Sequence, residues 1–591
     1  MYESIAVRFC GAAGDGIESI GSIMVRTFAR AGLHVYAYRN YQSVIRGGHV
    51  WYQVRASNEK LTSFGDFYDI MVTTNKDGII YDSSQIREGG IIIYDKSKVK
   101  FNESEVGKRY LDMNIPLSEI AQLYSRISAM QNVVAYGAIV ELLGLDFSIV
   151  KEVLEYEFGD KGKDIVEQNI AAARKGFEYA NEVYKNIKIE FKVKDPRRKM
   201  FISGANAIAF GGYVAGCKFY AAYPMTPSSP ILHWFAEHSK KGGIIVIQPE
   251  DEIAVINMAI GAAHAGVRSM VATSGGGFAL MSEAVGLAGM TETPLVIVEG
   301  QRGGPSTGLP TNTEQGDVRQ VLGAGQSDYP KVVMAPRDIE ELFYSTIEAF
   351  NLAEKYQIPV IILSDLYMNE STSTLEKEFD IENVKIDRGW IVKEGEVKDY
   401  KRYLITENGV SPRALPGMKG YNFVAASDEH DEKGHLISDV LAGLPYMLKT
   451  RKAMMEKRMR KEQYILKELE PPTLYGSKNA DVTIISWGST RGAVREAIKI
   501  LEREGITANS LEIKYLHPFH ANEVKEILIN SKLKLLVENN YSSQVGGLIA
   551  QHTGIILENK LLKYDGMPIM PMEIVTKVKE IVSLKKYEVV K

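Results

Sequence analysis

Cysteine is almost missing from this chain. Cys10 and Cys217 are the only two in 591 residues and fall in different expected domains, so they can build neither a disulfide framework nor a four-thiolate iron–sulfur site. Any such cluster must sit on a partner, and both thiols are expected to be small buried hydrophobes. Long apolar runs are missing too. None approaches the ~18 residues that span a bilayer, and the start carries Glu3 and Arg8 in place of a signal-peptide core, which predicts a cytoplasmic protein. Cationic excess is also absent: 70 Lys and Arg against 74 Asp and Glu leave a net charge of −4, without the basic stripe that gripping nucleic acid requires. No short-period repeat is visible, so solenoids and propellers are set aside.

What is present is an ordinary globular composition, 45% hydrophobic and 24% charged. The length exceeds the roughly 250–300 residues at which single cores stop growing, and three domains are expected. An apolar strand, Ile5 to Phe9, leads into the turn Gly11-Ala-Ala-Gly14-Asp-Gly16, an amphipathic helix over Ile17 to Ala31 and a second strand near Val35 to Tyr38. Further strand patterns at Ile70 to Thr74 and Ile91 to Tyr94 alternate with helices, the signature of a parallel sheet. The charged, proline-containing run Lys192 to Lys199 reads as a linker. A second alternation places strands at Lys218 to Ala222, Ile244 to Ile247, Ser269 to Thr273, Leu295 to Glu299 and Val360 to Leu363. Residues 375–472 break the rhythm with a long loop, Glu407 to His435, and a strongly charged helix, and read as a connector. A third alternation begins at Val482. The expected architecture is α/β with three doubly wound domains.

Several turns carry residues suited to chemistry. Gly11, Gly14 and Gly16 would expose amides at a helix N-terminus, which suits an anion or simply a tight turn. Their order is G-x-x-G-x-G, and no acid ends the next strand, so a nicotinamide-binding Rossmann site is disfavoured. Gly14-Asp15-Gly16 also imitates the motif with which thiamine enzymes hold magnesium diphosphate, but it lacks the paired asparagine and is rejected as that site. Tyr223-Pro224-Met-Thr226-Pro-Ser-Ser229 is a stiff turn that presents a hydroxyl at a strand's carboxyl end, although Ser228 and Ser229 could equally be caps of the helix that follows. Glu252 stands at the start of a small-residue helix, where a carboxylate commonly only offsets the dipole. Thr273-Ser274-Gly275-Gly-Gly is a second glycine turn, and Arg302 roots a flexible loop where it could fork a carboxylate or make a surface ion pair. His430 and His435 among acids suit a metal on paper but read better as a solvated loop, and no metal site is expected in this chain.

Taken in order, these segments resemble the 2-oxoacid:acceptor oxidoreductases that use thiamine diphosphate, ferredoxin and CoA. The likeness runs through Tyr41-Gln-Ser-Val-Ile-Arg46-Gly-Gly48, Tyr223 to Ser229 with Met225 in place of isoleucine, Glu250 to Ala254, Ala272 to Gly275, Met290 to Pro294, Gln301 to Gly308, Glu407 to Pro416 and Ser486 to Thr490. It implies a fused γα subunit: a γ-type, CoA-side domain over 1–190, a pyrimidine-binding thiamine diphosphate domain over 200–374, the connector over 375–472 and a transketolase C-terminal-like domain over 473–591. It further implies that Glu252 meets N1′ of the aminopyrimidine, that Thr226 and Arg302 hold the substrate carboxylate, and that Tyr223, Pro224, Thr226, Glu252, Ser274 and Gly275 contact the cofactor. Gly11, Gly14, Gly16 and Arg46 would face CoA, with Asp15 standing where the family commonly has glycine or glutamine.

The magnesium-diphosphate motif and the [4Fe-4S] cysteines are missing here, and the family keeps both on a β subunit. The implied enzyme is therefore an αβ or (αβ)2 assembly that converts a 2-oxoacid, 2-oxoglutarate or a broad range including pyruvate, to acyl-CoA and CO2 while reducing ferredoxin. A non-catalytic subunit that recruits CoA or ferredoxin is the alternative, which the retained Glu252, Thr226 and Arg302 disfavour.

Overall fold

Eight strands form the first of three sheets. The computed structural model describes residues 3–590 apart from Ile45, Glu190, Asp439, Leu441 and Ala442. The chain divides into two compact units, Met1–Ser203 with Glu370–Phe379, and Gly204–Asn369 with Asp380–Lys591.

In the first unit the strand order is Tyr110–Asn114, Ile86–Tyr94, Tyr68–Thr73, Ser4–Ala13, Gly47–Ser57, His34–Asn40, Thr372–Thr374 and Phe201–Ser203. The sheet is mixed, where a parallel one was expected. The first four strands run parallel, and from Gly47–Ser57 onward each neighbour is antiparallel. The physical reason lies in Gly47 and Gly48, whose positive φ angles of 83° and 68° let the chain turn straight back into a strand without a crossover helix. Phe9, Ile20, Met24, Phe28, Val54 and Ile70 fill the core with the helices Met130–Leu142 and Lys163–Val183. The remote segment Glu370–Phe379 supplies one strand and one acid: Glu370 accepts from Arg39 Nη2 at 2.6 Å, Arg39 Nε at 2.9 Å and the Tyr41 hydroxyl at 3.1 Å.

In the second unit a seven-stranded sheet runs Tyr515–His517, Val332–Met334, Pro359–Asp365, Leu295–Gln301, Ser269–Thr273, Phe219–Ala221 and Ile245–Ile247, parallel except for the first pair. A five-stranded sheet runs Thr473–Gly476, Ala508–Ile513, Val482–Trp487, Leu533–Glu538 and Lys560–Leu562. One apolar cluster reaches from Val271, Phe278 and Ile297 to Trp487, Leu511 and Val545, so these two sheets share a core.

The connector is held by charge more than by apolar area. Glu354, 3% exposed, meets Arg268 at 2.8 Å, Arg413 at 3.4 Å and Arg388. The helix Leu444–Glu468 sends Lys457 and Lys461, both fully buried, onto the fully buried Glu292. Burial opposes ionisation of Glu292, but the two ammonium groups and the Arg402 guanidinium overcome it and hold the carboxyl well below its usual range. Among the described residues no helix is long and apolar enough to cross a membrane.

Candidate active site

Beside Phe219–Ala221 the order of the seven-stranded sheet reverses. From Phe219–Ala221 the chain moves outward to Ile245–Ile247, then returns to the other side for Ser269–Thr273 and, beyond it, Leu295–Gln301. Open α/β sheets keep their ligands outside the carboxyl ends of the strands at such a reversal. Here those ends carry Tyr223–Ser228 and Ser274–Gly277, and the adjacent strand ends beside Arg302.

The proline turn and Arg302 are brought together. Arg302 Nη1 donates to the Thr226 carbonyl at 2.8 Å, with Thr226 half-buried and Tyr223 and Pro224 exposed at the mouth. Ser228 occupies the N-cap position of Ser229–Gly242 but makes no capping bond, which corrects the cap expectation. Pro230 in the first turn has no N–H to satisfy, and the Ser228 hydroxyl instead donates to the Thr273 carbonyl at 2.5 Å, fastening the turn to the next strand.

The cap of the helix Glu252–His264 is Asp251, its Oδ1 accepting from Ala254 N at 2.8 Å. Glu252, the first residue of the helix Glu252–His264, turns inward; it is 3% exposed, and its Oε1 is buried with no hydrogen-bond partner. The Ser274 hydroxyl, at the N-terminus of Gly275–Met290, is likewise buried and unpartnered. A Cβ at Gly277 would fall on Thr273 Oγ1 and lie 2.5 Å from Glu252 Oε1, so the space for this carboxylate depends on glycine. Gly277→Ala is therefore expected to destabilise the protein by about 1–3 kcal/mol through overpacking, measured by denaturant unfolding, and to push Glu252 from its place.

Behind this front stand acids that the sequence reading missed. Glu299, on Leu295–Gln301, is fully buried, and neither of its oxygens receives a bond from an amide, amine or hydroxyl. Burial pushes its carboxyl well above the usual range, the nearby Asp317 and Asp365 add to this, and Arg302 pulls the other way. Burial raises Asp317 as well, against the pull of Glu299 and Arg302, and also raises Asp365. Asp317 lies against the same glycine turn, its Oδ2 2.5 Å from where a Gly275 Cβ would stand. No motif marks these acids; Asp317 reads as a plain helix start, and its setting is made by the third alternation of strands. Gln315 N donates to the Asn539 carbonyl at 2.7 Å and its Oε1 accepts from Asn539 N at 3.1 Å, while Thr313 N donates to the Gly566 carbonyl at 3.1 Å. The C-terminal sheet thus holds the loop that carries Arg302.

In the first unit, Gly11, Gly14 and Gly16 form the expected turn, but Asp15 occupies it: its Oδ2 accepts from Ala12 N at 3.0 Å and from the Thr74 hydroxyl at 3.2 Å. A phosphate on that amide would meet a carboxylate. A Cβ at Gly11 would stand 2.6 Å from Thr74 Oγ1, so this glycine serves packing, and Arg46 is exposed. Cys10 and Cys217 are buried free thiols. His430 is buried on Tyr403 with its Nδ1 3.0 Å from the Asp428 carbonyl, His517 meets Glu462 at 2.8 Å, and no metal-binding group of three ligands occurs among the described residues.

Fold and site define a multidomain α/β protein with a ligand site at a strand-order reversal. Three family models match in order: pyruvate ferredoxin/flavodoxin oxidoreductase over residues 6–179, the thiamine diphosphate-binding domain of pyruvate flavodoxin/ferredoxin oxidoreductase over 211–443, and core domain II of pyruvate:ferredoxin oxidoreductase over 480–569. The chain is 34% identical to the 2-oxoacid:ferredoxin oxidoreductase subunit alpha of a Sulfolobus species, over 95% of both chains. It is 32% identical to subunit alpha of 2-oxoacid:ferredoxin oxidoreductase 2 from Aeropyrum pernix, over 99% of both. Its fold matches the structure of 2-oxoglutarate:ferredoxin oxidoreductase from Magnetococcus marinus with 2-oxoglutarate, coenzyme A and succinyl-CoA bound, with a TM-score of 0.90 and 35% identity over 98% of this chain and all of that one. This chain belongs to the alpha subunits of the 2-oxoacid:ferredoxin oxidoreductases.

The residues present fit thiamine diphosphate. A buried carboxylate with a free acceptor and a buried hydroxyl, both unsatisfied by protein, suit the edge of an aminopyrimidine, and buried polar atoms in native proteins are rarely left alone.

Proposed function

We propose that this subunit supplies the substrate-carboxylate clamp and the aminopyrimidine-facing half of an active site that oxidatively decarboxylates 2-oxoglutarate, or a range of 2-oxoacids including pyruvate, to the acyl-CoA while reducing ferredoxin. The observation that carries the reading is the buried Glu252 carboxylate with its unpartnered Oε1 against Gly277 of the glycine turn. When bound, thiamine diphosphate supplies a nucleophilic carbon for the 2-oxo group and a sink for the electrons left when CO2 departs. Glu252 would meet the pyrimidine ring nitrogen and set its tautomer, Ser274 and Gly275 would line the turn that receives the cofactor, and Tyr223 and Pro224 would stand at its entrance. Arg302 holds the substrate carboxylate in bidentate fashion, and Thr226 completes the clamp.

A partner β subunit would bring the magnesium-diphosphate motif and the [4Fe-4S] cluster, in an αβ or (αβ)2 complex. CoA belongs to the γ-type domain, with Arg46 rather than the Asp15-filled glycine turn as the cation for its phosphates. Two free buried thiols support a reducing compartment, and we place the complex in the cytoplasm. The relative from Magnetococcus marinus with 2-oxoglutarate bound supports the dicarboxylate as first substrate to try. The test is anaerobic, CoA-dependent reduction of ferredoxin or methyl viologen by this chain co-expressed with its adjacent β subunit, comparing 2-oxoglutarate with pyruvate. Reduction with either acid is expected; none, with a cluster- and thiamine-loaded partner, would promote a recruiting subunit without chemistry.

A further inference from the structure

The proline turn is tied down from three sides. Thr226, Pro227 and Ser228 each meet a different element. Arg302 Nη1, just past the strand Leu295–Gln301, donates to the Thr226 carbonyl at 2.8 Å. Asn369 Nδ2, in the helical turn Leu366–Glu370 that follows Pro359–Asp365, donates to the Pro227 carbonyl at 3.4 Å. The Ser228 hydroxyl donates to the Thr273 carbonyl at 2.5 Å. None of these bonds uses the Thr226 hydroxyl. Gly300 lets the group close up, since a Cβ there would stand 3.0 Å from Pro227 Cγ and from Ser228 Oγ and 3.2 Å from Asn369 Nδ2. Asn369 is carried by a fixed turn: Met368 N donates to Asp365 Oδ1 at 2.9 Å, and Tyr367 N donates at 3.2 Å to Thr313 Oγ1 on the loop that Arg302 begins.

We infer that Asn369 is a positioning residue, which by holding the Pro227 carbonyl sets the turn so that the Thr226 hydroxyl stands beside the Arg302 guanidinium to receive the 2-oxoacid carboxylate. The inference rests on Thr226 and Arg302 being the clamp. The Pro227 ring fixes its own φ, and the two held carbonyls fix ψ at Thr226 and at Pro227, so the turn keeps little rotation. That rigidity matters to a reacting substrate, for which a misplacement of about 1 Å can cost about 10²-fold in rate. Stability alone would not favour an asparagine here. Asn369 is 2% exposed, and its Oδ1 is buried with no hydrogen-bond partner. An orphaned buried polar atom costs more than an average hydrogen bond returns, so a leucine of similar size would hold the fold at least as well.

The test is a double-mutant cycle in the thiamine- and cluster-loaded complex, with Thr226→Val and Asn369→Leu made singly and together, and thermal unfolding of each full chain alongside. Thr226→Val is expected to raise KM for the 2-oxoacid by about tenfold or more, as for a lost hydrogen bond to a charged group. Asn369→Leu is expected to raise KM by about threefold or more, with a smaller change in kcat and no fall in unfolding temperature. It should add nothing once Thr226 is replaced, because it acts through that hydroxyl. Asn369→Ala, which removes the donor without adding apolar volume, carries the same expectation for KM and decides the matter should the leucine variant fail to assemble. A raised KM in Thr226→Val beside an unchanged one in the Asn369 variants overturns the positioning role, as does an Asn369 effect that adds in full to that of Thr226→Val. An unchanged KM in Thr226→Val overturns the clamp itself, and the inference with it.

Discussion

Glu252→Gln is expected to lower kcat by about 10²–10⁴-fold, the range for a lost proton-transfer group, without making the apo chain less stable. The two halves of this prediction come from the same geometry. The amide keeps the volume beside Gly277 but loses the charge that a protonated ring nitrogen would need. Stability is spared because Oε1 has no protein partner to lose, so no donor is orphaned by the change. Single-turnover kinetics with the loaded complex and thermal unfolding of the chain alone measure the two halves separately. A variant that turns over normally but unfolds early would make Glu252 a core residue.

Glu292→Gln should show the opposite pattern, a large loss of stability, about 3–5 kcal/mol, from leaving two buried ammonium groups without their carboxylate. Lys457 and Lys461 are completely buried, and Lys461 Nζ lies 2.6 Å from Glu292 Oε2. Burial pulls both lysines toward their neutral forms while the Glu292 carboxylate pulls them back, and Glu292 governs the acid limb. Because the Glu292 carboxyl sits below its unfolded value, its contribution is fully present above about pH 4.5 and is lost as pH falls through the folded value. Wild type should therefore lose stability more steeply than Glu292→Gln below about pH 4.5, as urea titrations at stepped pH would record.

Much of this was legible in the chain because local chemistry and tertiary setting agree. Ser269–Thr273 is a run of apolar and β-branched residues that becomes a central parallel strand buried along its length. Gly47–Ser57 was not legible: Gln53 and Arg55 interrupt its apolar pattern, yet Gln53 is buried because Arg8 donates to it at 2.6 Å. The charged helix Leu444–Glu468 reads only as part of a connector, yet Lys457, Arg458 and Lys461 are buried, each against an acid remote in sequence. In the site, Glu252 and Arg302 owe their expected tasks to the family resemblance, since position alone allows a dipole-offsetting acid and a surface ion pair. Glu299 carries no such signal, since what makes this acid unusual is its full burial without a hydrogen-bond partner.

The ten residues Glu370–Phe379 have a bearing on descent. They lend the first unit a strand and the carboxylate that holds Arg39, although residues 204–369 intervene. A protein ending at Ser203 would expose the edge of His34–Asn40 and leave Arg39 with the exposed Glu18 but without the buried Glu370. Exchange of the first unit between related genes thus needs breakpoints at two places, and a single crossover near residue 203 would yield chains prone to pair edge to edge.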